Sequence, residues 1–121
     1  MRISIAGAVI ALLVSTGIAF AAPAARLAPK DIQTTFFTGQ AFTASTPNNI
    51  KYKMVFTADG KVTREPLGKS GVKGDGTWKL SKDGFCTTWK GSKANCFHLV
   101  AGGENKWSVM KGTSLVATWT K

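Results

Sequence analysis

The sequence predicts a mainly β protein, an antiparallel meander of about eight short strands closing into a small up-and-down barrel, with one short N-terminal helix. Three observations carry that expectation. Beyond residue 40 the apolar residues recur with period two, tight-turn residues separate the runs, and no helical pattern lies between them.

The first element is an export signal. Met1-Arg2 gives a short positive start, Ile3 to Phe20 is almost wholly apolar, and Ala19-Phe20-Ala21 has the small-x-small pattern of a cleavage site. Residues 1–21 therefore read as a signal peptide cut after Ala21 or one residue later, leaving 22–121 as a single β domain. The competing reading is an uncleaved anchor, because the apolar run approaches the roughly 20 residues that a bilayer requires. No strongly basic flank follows closely. A cleaved chain retains no transmembrane segment and is expected to be periplasmic or secreted.

"LAPKDIQTTFF", from Leu27 to Phe37, has a proline near its start, an acid in its first turn and Gly39 just beyond, the punctuation of one short helix. "QAFTAST" near residue 40 supplies the first strand. In "NIKYKMVFTADGKVTREP", Ile50, Tyr52, Met54 and Phe56 share one face, and Asp59-Gly60 marks the turn. Pairing Phe56 with Val62 sets Lys53 opposite Glu65 on the wet face and Arg64 beside Met54 on the inner one. Downstream, pairing Leu80 with Phe85 aligns Trp78, Leu80, Phe85 and Trp89 on one face and pairs Thr77 with Thr88 on the other.

The next hairpin contains both cysteines. In an oxidising compartment an even cysteine count is ordinarily a bridge. Setting Cys86 opposite Cys96 also sets Phe85 opposite Phe97, so the disulfide register and the hydrophobic register coincide. A slip of one residue would turn the aromatic side chains into water. Continuing through Gly102-Gly103, the same pattern pairs Leu99 with Trp107 and Phe97 with Val109. "KGTS" then turns into "LVATWTK", the last strand.

"FTADG", "GDGTWKL", "FCTTWKG" and "CFHLV", behind a signal peptide and a short helix, resemble small exported proteins of proteobacteria grouped as a domain family of unknown function. The strand rhythm is similar to that of miniature lipocalin-like barrels, although Gly76-Thr77-Trp78 lies mid-chain rather than on a first strand. The resemblance implies no catalytic residues.

The residues themselves point away from catalysis. His98 is the sole histidine and its strand turns it outward beside the cysteines, so no nucleophile and base pair forms around it. Closed zinc sites take four ligands, which the two cysteines and His98 do not complete. "GKSGVKGDG" (68–76) is rich in glycine but lacks the spacing of a phosphate cradle and precedes a strand rather than a helix. No catalytic, cofactor or metal residue is assigned.

Two features carry function. Arg64 falls on the inner face, where a guanidinium is costly without a partner. Tyr52, Arg64, Trp78, Trp89 and Trp107 thus form a candidate pocket for an anionic or amphipathic ligand. The second feature is charge: 16 basic residues stand against 6 acidic ones, a net +10 that falls by one if Arg2 is removed. Lys51, Lys53, Lys79, Lys90 and Lys106 fall on outward positions, a candidate surface for an anionic envelope polymer or an acidic protein. Nucleic acid is not an expected partner, because the aromatic residues point inward rather than between the basic groups.

The expected function is a non-catalytic exported envelope module that binds through a basic surface. The alternatives are a carrier or sensor using the barrel interior, and a small enzyme or enzyme inhibitor acting through a surface loop, for which 68–76 is the candidate.

Overall fold

A proline at the first helical position and Asp31 in the first turn start α1, Pro29–Phe36, in a computed structural model that describes residues 25–121. The expected signal peptide lies outside the described residues. Helical spacing puts Ile32 and Phe36 on one buried face, and Phe37, which ends the helix, is buried as well.

Eight strands follow: β1 Phe42–Ser45, β2 Lys51–Phe56, β3 Lys61–Pro66, β4 Gly74–Leu80, β5 Phe85–Trp89, β6 Ala94–Ala101, β7 Lys106–Lys111 and β8 Ser114–Thr120. Each pairs antiparallel with its neighbour in sequence, and β8 pairs with β1 to close the barrel. Closure leaves no free sheet edge in the ring.

Most of the expected registers hold. Phe56 faces Val62, Lys53 faces Glu65, and Met54 faces Arg64. Leu80 faces Phe85, Thr77 faces Thr88, and Cys86 faces Cys96. The β6–β7 pairing differs: Leu99 faces Val109 and Ala101 faces Trp107, two residues away from the expected match. The turn there is centred on Glu104 instead of the glycine pair, because Asn105 adopts a left-handed conformation (φ 57°) and Gly102 N–H donates to Lys106 O at 2.9 Å. A shift of two preserves the faces, so Trp107 and Val109 still point inward.

One end of the barrel is plugged. Phe36 packs against Phe42, Trp107 and Trp119 with ring centroids 4.8 to 5.0 Å apart. Phe37 stacks on Phe56 at 4.4 Å and lies 4.3 Å from Trp78. Each buried phenylalanine contributes roughly 2 kcal/mol by the area it removes from water. Backbone bonds hold the plug in place: Gly39 N–H donates to Phe56 O, and Leu27 N–H donates to Leu99 O where β6 extends beyond β5.

The loops at this plugged end are 37–41, 57–60, 81–84 and 102–105; the other four, 46–50, 67–73, 90–93 and 112–113, surround an end that α1 does not cover. Among the described residues no helix is long and apolar enough to cross a membrane.

Candidate functional site

Because α1 fills only one end, the other half of the barrel interior holds a cavity of about 200 Å³. Phe56, Phe85 and Trp119 form its floor against the plug; Thr46, Tyr52, Arg64 and Trp89 form its rim. The wall between them is apolar, with Thr87 the one buried polar side chain among the described residues.

Arg64 gives this cavity its chemistry. β3 presents it inward opposite Met54, and its guanidinium lies 4.5 Å from the Trp89 ring centroid and 5.5 Å from that of Tyr52. These aromatic faces attract the cation and desolvate it. Its Nε is buried and has no hydrogen-bond partner among the described residues. An unmade bond at a buried donor costs about 1 to 3 kcal/mol, more for a charged group. Arg64 therefore lines the cavity with one of its guanidinium donors buried beside Gly74 and Trp89 and without an acceptor.

The glycine-rich segment makes this arrangement possible. Gly74 faces Arg64 across the β3–β4 pairing, and a Cβ at Gly74 would sit 3.1 Å from Arg64 Nε and 3.3 Å from the Trp89 ring. A side chain there would crowd the stack. At Gly71 (φ +103°) a Cβ would come within 2.8 Å of Tyr52 Oη, so the 67–73 loop folds directly against the rim. The stretch 68–76, an enzyme or inhibitor loop in one sequence reading, is spatially the border of the mouth. A shallow groove continues outward from Arg64 and Trp89 past Val72, Lys73, Lys90 and Ser92.

The five residues of the expected pocket divide between the two ends. Tyr52, Arg64 and Trp89 meet at the mouth. Trp78 and Trp107 do not: both point inward but pack on Phe37 and Phe36 in the plug, and Trp78 Nε1 donates to Thr57 O at 2.8 Å. Trp119, absent from the expected set, takes a place in the cavity floor. Its signal was available, since it shares the inward alternation of β8 with Ala117.

The expected basic surface also disperses. Lys51, Lys53, Lys79, Lys90 and Lys106 are all exposed, but they lie on or beside β2, β4, β5 and β7, around the whole circumference. Lys53 Nζ lies 3.7 Å from Glu65, which offsets its charge. These five do not share one face.

Cys86 and Cys96 form a disulfide across the β5–β6 pair. His98 stands outside the barrel in a shallow groove with Arg26, Asp83 and Cys96. Burial first, and the charge of Arg26 second, hold its imidazole below the ordinary value of 6.5, against the opposing pull of Asp83. No group of three or more metal-ligating side chains occurs among the described residues.

Comparison with protein-family models, curated proteins and solved structures finds no match to this chain.

Proposed function

We propose that this protein is a non-catalytic module of the periplasm or extracellular space that carries or senses a small anionic ligand inside its barrel. The observation that carries the reading is Arg64: a cation held by two aromatic rings at the mouth of an apolar cavity, with a buried Nε donor unpaired. A carboxylate is the acceptor best matched to a guanidinium, through short charge-assisted bonds.

The volume limits the remainder of the ligand. Ordinary small-molecule sites measure roughly 300 to 1,000 Å³, while an apolar cavity of about 150 Å³ accepts a benzene-sized guest. At about 200 Å³, the space over Phe56, Phe85 and Trp119 fits an aromatic or short-chain carboxylate. The disulfide and the sequence of residues 1–21 support the extracytoplasmic setting.

Titration with benzoate and short-chain carboxylates, followed by the fluorescence of Trp89 and Trp119, tests the reading. Saturable quenching is expected, and Arg64→Leu should weaken binding by more than tenfold without lowering Tm, since it removes an unpaired buried donor. If no such carboxylate binds the native protein, or Arg64→Leu binds equally well, the reading fails.

A further inference from the structure

The two ends of the barrel differ in charge. The mouth loops with the strand residues that bound them, 45–51, 66–74, 89–94 and 111–114, contain Lys51, Lys69, Lys73, Lys90, Lys93 and Lys111 and no acidic residue. Counted the same way, the hairpin loops at the plugged end, 56–61, 80–85 and 101–106, contain Lys61, Lys82 and Lys106 balanced by Asp59, Asp83 and Glu104. Glu65 and Asp75 lie one residue below the mouth on β3 and β4, and Glu65 is engaged with Lys53.

The same end carries the exposed apolar side chains. Among the described residues, the large hydrophobic side chains that stand exposed are Leu67 (56%), Val72 (69%) and Leu115 (45%). Leu67 and Val72 belong to the β3–β4 loop, and Leu115 opens β8 on the opposite side of the ring. Apolar tips within a lysine ring match an anionic bilayer surface, whose headgroups attract the cations while its interfacial region accepts the apolar side chains. A soluble polyanion would use the lysines alone.

We infer that the open end docks on an anionic phospholipid leaflet, lysines on the headgroups and Leu67, Val72 and Leu115 in the interface, with the cavity mouth facing the membrane. This docking does not depend on the cavity holding a carboxylate. Each lysine near an anionic leaflet contributes about fivefold to binding, and salt screens that contribution.

Flotation with vesicles of phosphatidylcholine alone, and of phosphatidylcholine mixed with phosphatidylglycerol, tests the inference on the disulfide-bonded protein. Binding is expected only with phosphatidylglycerol. Lys69→Glu combined with Lys73→Glu and Lys93→Glu should reduce it by more than a hundredfold, and Leu67→Ser with Val72→Ser by roughly tenfold at unchanged net charge. The control pair Lys79→Glu and Lys106→Glu, at the plugged end, should reduce it less than fivefold. These substitutions are at exposed positions, and unchanged melting curves verify the fold. Arg64→Leu removes one cation at the mouth and should lower vesicle binding by no more than about fivefold while greatly weakening carboxylate binding, which separates failure of docking from failure of the carboxylate site. No binding to anionic vesicles, loss equal to that of the control pair, or indifference to the Leu67 and Val72 substitutions would overturn the inference; the last would indicate a plain polyanion surface.

Discussion

At the scale of single residues, His98 links structure to pH. Its folded pKa is depressed below 6.5, so on acidification the unfolded chain takes up a proton that the folded chain resists. The contribution of His98 to stability is therefore present above 6.5 and is lost as pH falls from there through the folded value. Asp59 acts in a lower window: the hydrogen bond from Thr57 holds its carboxyl below 3.8, so its contribution is present above 3.8 and lost as pH falls through its folded value. Thermal melts across mildly acidic pH should show Tm falling before Asp59 titrates, and His98→Gln should flatten that decline; an unchanged slope in the variant would refute the assignment. Sequence alone locates His98 on the outer face, because it lies two residues from Cys96 on the same strand. Its depressed pKa was not legible, since the burial that lowers it and the charge of Arg26 that adds to it arise from segments distant in sequence.

At the scale of elements, the β5–β6 hairpin carries the cross-strand bond. Closing the 10-residue separation between Cys86 and Cys96 stabilises the fold by roughly 2 to 3 kcal/mol through the entropy of the unfolded chain. The double variant Cys86→Ala and Cys96→Ala should lose about that much in denaturant titrations, and reducing agent should affect the parent protein but not the variant. A loss well below about 1 kcal/mol would assign the stability of this hairpin to its aromatic face instead. The register here was legible because cysteine pairing and aromatic alternation gave the same answer. The β6–β7 register was not, because a left-handed Asn105 moves the turn centre and period two is blind to a shift of two. The same blindness explains the tryptophans. Alternation distinguishes inside from outside but not depth along the barrel axis, so Trp78 in the plug and Trp89 at the mouth look alike in sequence. The helix was legible as a helix; its role as a plug required Phe36 and Phe37 to be seen among Phe42, Phe56 and Trp119.

At the scale of the whole molecule, the ends of the barrel differ in packing. Phe36, Phe37, Phe56, Phe85 and Leu99 are almost completely inaccessible, whereas the mouth surrounds a cavity. Stability should be graded accordingly: hydrogen exchange is expected to be slowest for strand amides near Phe56, Phe85 and Leu99, and faster for those near Lys51, Gly74 and Ala94. Uniform protection along the strands, or the reverse order, would contradict a plugged end as the rigid one.

The seam between β1 and β8 has a kinetic meaning. β1 has only four residues, and its partners Thr118, Trp119 and Thr120 lie at the opposite end of the described residues. Every other ladder joins strands adjacent in sequence and can zip from its own turn; this one must close a loop containing the whole meander, at an entropic cost that grows with loop length. Until it does, an open sheet presents two unpaired borders and an uncovered Trp119. Folding should then be limited by a late, long-range ring closure, and the interval before that step is when chains are most prone to join edge to edge.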